Sequence, residues 1–334
     1  MILRNITPWL LSLVLTFVLL EGLVRIWGYS NRCIYDPIYT LYNNCDTPLV
    51  VHKPNLHKAL ARAMTYIDTD SLGLRSMQPG EVLTDKAPDE IRIAITGDSF
   101  TFGHGVADTA ETYPAALESI LNSKSGGKNK FRVFNFGVSA YSLAEMTATL
   151  KCRMFTVQPD IVICGFIFDD FNPNRMVGLD QYGYTIDRSL GQTSDRFQLI
   201  KRLLRGLHLS HLIKDALIRL SREGSPLDSA KAYVDEMYRH LREFRKIALQ
   251  HGNEYCFVLL PSFGSSDLAA IVPKLEADNL QFVDLSDLWK QFSLEEFRVS
   301  KFDNHPSAAV HKEIAAKLAA YIEGTLKPKI TRWK

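Results

Sequence analysis

Charge of either sign is barely in excess in this chain: 39 Lys and Arg against 37 Asp and Glu leave a formal net charge of +2. No basic stripe interleaved with aromatics accompanies that balance, so nothing calls for nucleic acid as a partner. Phosphate-cradling loops are missing too. There is no Walker motif and no G-x-G-x-x-G, which leaves nucleotide binding unsupported. The absence of a G-x-S-x-G elbow disfavours the α/β-hydrolase family. His104, His208, His211 and His311 form no metal-ligand spacing with the cysteines and read as surface or helix residues, so no metal or other cofactor is expected. His104, five residues after Ser99, has the alternative of lining a crevice there. No fixed-period repeat or low-complexity tract is visible.

What is present is a globular composition, 46% apolar and 23% charged over 334 residues, enough for one large α/β domain or two smaller ones. Ile6 to Trp27 is almost wholly apolar, and roughly 20 helical residues span a hydrocarbon core. Glu21 and Arg25, four apart, share a helical face and can pair near an interface, with Trp9, Trp27 and Tyr29 placed as interfacial anchors. No small-residue cleavage site follows, so a retained signal anchor is expected over a cleaved signal or a core helix. Arg4 before the span against Arg25 and Arg32 after it does not decide orientation by charge. Cys33 and Cys45 lie in a loop-like segment and are candidates for a disulfide, the alternative being two free thiols. Such a bridge favours export, with the globular domain on the periplasmic or extracytoplasmic side.

Residues 1–29 are thus the anchor and 30–88 a turn-rich stalk and lead-in. From Ile91 the pattern becomes regular. Strands are expected at Ile91–Thr96, Phe131–Phe136, Asp160–Phe166, Tyr255–Leu260 and Gln281–Leu285. Helices are expected at Pro114–Ser123, Ser142–Phe155, Asp228–His251, Ser265–Ala277 and Ala308–Leu326. This alternation predicts βαβ units and a mostly parallel sheet covered on both faces, over residues 89–327. Ser142 with Glu145 has the spacing of a capping box, and Pro306 with Ser307 suits a helix start. Residues 171–227 interrupt the rhythm. Their second part, Arg196–Ser221, is a basic amphipathic stretch with Leu203, Leu207 and Leu217 among its apolar positions, and Lys201, Arg202, Arg205 and Lys214 among its charges. It reads foremost as a plain helical cap with solvated charges; a lid or a surface lying on anionic lipid are its other readings.

Ser99 stands where the first buried strand runs out, and a serine at the C-terminal end of a parallel strand projects into the crevice where open α/β sheets hold ligands. It becomes a nucleophile only beside a base. Late in the chain, His305 has Asp303 two residues before it, a base and a group to orient it. Donors for a developing oxyanion are expected from neighbouring strand ends, Gly137 after the second strand and Asp169-Asp170 after the third. Together these suggest acyl transfer through a serine ester.

The order and wording of these segments resemble the SGNH (GDSL-like) hydrolase family. Gly97-Asp98-Ser99 with Phe100-Thr101-Phe102-Gly103 looks like its first block, Asn135-Phe136-Gly137-Val138-Ser139 like its second, and Asp303-Asn304-His305-Pro306-Ser307 like its last. Ser71-Leu72-Gly73-Leu74-Arg75 is similar to the lead-in of membrane-anchored bacterial members. The resemblance implies a flavodoxin-like three-layer α/β/α fold with a five-stranded sheet, and a triad of Ser99, Asp303 and His305. It also implies an oxyanion hole from the Ser99 and Gly137 N–H groups plus a third-block asparagine side chain. Here that asparagine is replaced by Asp169. The expected activity is an anchored esterase acting on an acylated envelope saccharide or lipid; the alternatives are an O-acyltransferase using the same triad and a non-catalytic binding module.

Overall fold

The computed structural model describes residues 2–29, 37–61, 65–173, 177–179, 183, 185–187, 204, 206–221, 232–331 and 333. The apolar N-terminal run forms one helix, α1 (Ile2–Ile26). Its stretch Pro8–Ile26 has a mean hydropathy of 2.0 and is only 11% buried, so it is long and apolar enough to cross a membrane as an anchor or a signal sequence. A hairpin follows, β1 (Tyr39–Tyr42) against β2 (Leu49–His52).

The α/β layers then begin with β3 (Glu90–Gly97), a one-turn helix α2 (Ser99–Phe102), α3 (Tyr113–Ser125), β4 (Lys130–Asn135), α4 (Leu143–Cys152) and β5 (Ile161–Phe166). After the inserted segment come α5 (His208–Ser221), α6 (Val234–Gln250), β6 (Glu254–Leu259) and β7 (Phe282–Asp284). A second hairpin, β8 (Arg298–Ser300) and β9 (Asp303–Pro306), leads into α7 (Ala308–Tyr321). The Ser265–Ala277 helix divides into a 3-10 turn at Asp267–Ala270 and a short helix at Val272–Ala277.

Five strands pair in the order β7-β6-β5-β3-β4, and every pairing is parallel. This is the flavodoxin-like order, whose direction of winding reverses between β3 and β5 and opens a crevice at their C-terminal ends. Period-2 alternation divides the strand residues between two cores. Ile91, Ile93 and Ile95 face Leu117, Leu121, Ile314 and Leu318 of α3 and α7. Ala94, Val162, Cys164 and Phe166 face Met146, Leu150, Leu241 and Phe244 of α4 and α6. Burying each such isoleucine or leucine contributes about 1.5–3 kcal/mol, so a one-residue slip in any strand is strongly disfavoured.

Local expectations are corrected in two places. Cys45 bridges Cys152 at the end of α4, 107 residues away, and not Cys33, which lies outside the described residues. The β1–β2 hairpin folds back over α4, with the Lys151 ammonium on Asp46 beside the bridge, so proximity in sequence loses to proximity in space. Ser307 occupies the position before α7, but its hydroxyl donates to the Glu296 carbonyl (2.6 Å) instead of capping the helix. The Ser142–Glu145 pairing is present: the Glu145 carboxylate accepts from both the Ser142 N–H (2.8 Å) and its hydroxyl. Of the basic stretch at Arg196–Ser221, residue 204 and residues 206–221 are described; Lys201, Arg202, Leu203 and Arg205 are outside, as are the side-chain surroundings of Lys214.

Candidate active site

Ser99 is the first residue of α2, directly beyond β3. Asp98 turns the chain there, its Oδ1 accepting the Phe100 N–H (2.8 Å) in the manner of a helix cap. The Asp98 carboxylate also lies 3.4 Å from Ser99 Oγ. Gly97 admits the turn because a Cβ there would meet Thr101 Oγ1 at 2.0 Å and the Gly165 carbonyl at 2.5 Å.

His305 arrives from the other end of the chain on β9. Its Nε2 is 2.8 Å from Ser99 Oγ, and its Nδ1 makes a short contact with Asp303 Oδ1. Asp303 is buried, and it also accepts the His305 backbone N–H (3.2 Å), so carboxylate and ring are held in one local loop. Phe100 and His104 flank the imidazole, with ring centroids at 5.4 and 5.2 Å. The structure therefore brings Ser99, His305 and Asp303 into one hydroxyl–imidazole–carboxylate chain. Such a chain can take the proton from a serine as it attacks an acyl carbon. His104 belongs to this crevice and not to the surface: it is buried, and its Nδ1 hydrogen-bonds Ser139 Oγ (2.8 Å).

Gly137 requires a correction. Its N–H donates to Asn135 Oδ1 (2.9 Å) and so is not turned to the crevice. Glycine is needed there because a Cβ would lie 2.5 Å from the Phe102 backbone nitrogen; the α2 backbone packs against it. Asn135 completes the staple, its Nδ2 donating to the Thr101 carbonyl (3.0 Å). Two residues past the next, Ala140 adopts the left-handed region (φ 64°), rare for a residue with a Cβ. Around it, the N–H groups of Val138, Tyr141 and Ser142 have protein acceptors. Those of Ser139, Ala140 and Ser99 have none among the described residues. A non-glycine residue held at positive φ beside an N–H with no protein acceptor is a feature that backbone angles reveal and the sequence does not.

Beyond β5 the two acids part. Asp170 is buried and its Oδ2 accepts the Ile167 N–H (2.9 Å), bracing the turn at Phe168–Phe171. Asp169 is half-buried on that turn, and its carboxylate has no hydrogen-bond or ionic partner among the described residues.

Sequence reasoning assigned no role to Arg75. It is buried, and its guanidinium donates to the carbonyls of Phe102 (3.1 Å), Gly103 (2.6 Å) and Val106 (2.6 Å) and to Thr109 Oγ1 (3.2 Å). Burial lowers its pKa to about 10, which leaves it charged at neutral pH. A cation on these carbonyls fixes the loop from α2 through His104. A cavity of about 700 Å³ lined by Lys86, Asp160, Asn253 and Glu254 lies at the opposite end of the sheet and shares none of these residues.

No family model matches the sequence, and no curated protein matches it. Among solved structures the chain is similar to a catalytic mutant of an acetylxylan esterase from Geobacillus stearothermophilus (16% identity, 72% of this chain and 96% of that one, TM-score 0.42). It is similar also to the lipase/acylhydrolase from Enterococcus faecalis (14% identity, 72% and 100%, TM-score 0.42). A third is an acetyl xylan esterase (12% identity, 70% and 100%, TM-score 0.44). The fold described above stands on the strand order and pairing of this chain itself.

Proposed function

We propose that this chain is a membrane-anchored serine esterase that removes acyl groups, such as O-acetyl, from an envelope saccharide or lipid. The observation that carries the reading is the 2.8 Å contact of Ser99 Oγ with His305 Nε2, with Asp303 on the other ring nitrogen. Ser99 Oγ bonds to the acyl carbon as its proton passes to His305 Nε2, and the carbonyl π pair moves onto oxygen. Collapse of that intermediate breaks the bond to the leaving alkoxide, which takes the proton from His305. Water then attacks the acyl-enzyme, giving its proton to His305, and Ser99 leaves with that proton as the acid is released. Asp303 holds the ring and balances the imidazolium.

The unspent N–H groups of Ser99 and Ala140 supply the oxyanion donors in this scheme, with Asp169 at the third place. Anchoring is supported by α1 and by its polar contacts with the domain: Glu21 and Arg25 hydrogen-bond residues 206–209, which a cleaved signal has no use for. The Cys45–Cys152 bridge supports an oxidising, extracytoplasmic compartment. The test is labelling by a fluorophosphonate probe, which needs an activated serine but no knowledge of the substrate. Wild-type protein should be labelled and turn over a short-chain aryl ester, and Ser99→Ala should do neither. Equal labelling of Ser99→Ala would overturn the assignment.

A further inference from the structure

The end of α1 holds two parts of the domain at once. Glu21 accepts the backbone N–H groups of His208 (2.9 Å) and Leu209 (2.8 Å), two donors that the first turn of α5 leaves without helical partners. Arg25 pairs with Glu21 (2.7 Å) and donates to the Gly206 carbonyl (2.8 Å). A few residues on, Trp27 and Tyr29 pack on Phe302, the turn residue of the β8–β9 hairpin, at 4.9 and 5.2 Å between ring centroids. His305 lies three residues along that hairpin, about 10 Å at the rise of a strand.

Depth along α1 is the informative quantity. Glu21 precedes Ile26, the last residue of the apolar helix, by five positions, or about 7.5 Å of helix. The lipid-type side chains on either side of it stay bare, with Leu20 43%, Leu23 54% and Ile26 86% exposed. The start of α5 is therefore tied at the level where α1 still presents an apolar surface. From there α5 carries its own apolar surface: Ile213 and Leu217, one helical turn apart, are 51% and 60% exposed, and Leu204 before the helix is 41% exposed. Water is a poor neighbour for that face, and a bilayer boundary continuous with α1 is a good one.

We propose that α5 lies in the bilayer interface beside the end of α1, with Leu204, Ile213 and Leu217 in the acyl boundary, so that the Ser99 crevice is held at the membrane surface. The proposal rests on α1 being a membrane anchor, and its occupant is the lipid bilayer itself. The start of α5 is joined to the end of α1 by a carboxylate that satisfies backbone donors where water is scarce.

The experiment uses the full chain with Cys33 replaced by Ser, reconstituted in phosphatidylcholine–phosphatidylglycerol vesicles. A single cysteine carrying an NBD fluorophore is introduced at Leu217→Cys, Ile213→Cys, Lys128→Cys or Leu13→Cys. Lys128 is an exposed residue at the end of the sheet opposite Ser99. Lipid bearing a doxyl group at carbon 5 should quench the probe at 217 and at 213 at least twofold more than the probe at 128. Quenching at 217 and 213 equal to that at 128, while the probe at 13 is strongly quenched, would show an anchored protein whose α5 stands in water and would overturn the proposal. An unquenched probe at 13 would remove the anchor and the proposal with it. The two α5 positions guard against one label disturbing the helix.

Discussion

Ser99 and His305 touch through Oγ and Nε2 at 2.8 Å although 206 residues separate them. Asp303→Asn tests what the third member adds. It keeps the shape of the side chain but presents an amide to His305 Nδ1, which favours the wrong tautomer. kcat for an aryl ester should fall about 10³–10⁴-fold with little change in stability. Adding Ser99→Ala to Asp303→Asn should lower activity far less than the product of the two single losses, as expected of residues that act as one unit.

Asp169→Asn replaces a carboxylate by an amide on the turn after β5. An ionised acid beside a developing oxyanion opposes it, whereas an amide N–H stabilises it, and one such donor is worth about 3 kcal/mol of barrier. Faster ester turnover is expected, up to about 10²-fold. An unchanged kcat would place Asp169 outside the oxyanion site.

Gly137 in the second motif and Ala140 just past it should respond in opposite ways. Gly137→Ala forces a Cβ to within 2.5 Å of the Phe102 nitrogen and should destabilise the fold and displace α2 with its serine. Ala140→Gly relieves a left-handed conformation that costs a residue with a Cβ about 1–2 kcal/mol, and it should leave urea stability unchanged or raised. Urea midpoints and aryl-esterase kcat, measured on both variants, check the pair.

His311, inside α7, accepts the Tyr113 N–H at Nδ1 (3.1 Å) and is fully buried. Burial first, and then electrostatic repulsion led by the Arg75 guanidinium, depress its pKa to about 3. The unfolded chain takes up this proton near pH 6.5 while the folded one refuses it. Its stabilising contribution is thus complete above about pH 6.5 and is lost as pH falls towards 3, at up to about 1.4 kcal/mol per unit. Urea midpoints from pH 7 to 4 should fall less steeply in His311→Asn than in the parent.

Removing the Cys45–Cys152 bridge frees a loop of 107 residues and should cost about 2–4 kcal/mol. Cys33→Ser should leave urea stability as it was. A loss with Cys33→Ser equal to that of Cys45→Ser would refute the pairing.

Much of this protein is written locally. Tyr255–Leu260 is apolar on both faces and Ile91–Thr96 sets three isoleucines on one, so they mark buried parallel strands with edges right to within a residue. The order of strands and helices admits few topologies, and a serine at the end of the first strand then falls at the winding reversal. The pairing of Asp303 with His305 was legible from their spacing of two, but that both lie on one face of a strand, β9, is shown by the structure alone. What the tertiary structure alone decided are the contacts that depend on how separate segments lie against each other. Gly137 is a glycine either because its N–H serves a ligand or because a backbone passes close by, and only the position of α2 selects the second. Cys45 was expected to pair with its neighbour in sequence, and the folding of its hairpin over α4 brings it to Cys152 instead. Arg75 and Glu21 are ordinary charges in sequence. Their meaning comes from the carbonyls and N–H groups packed around them, which hydrophobic periodicity does not encode.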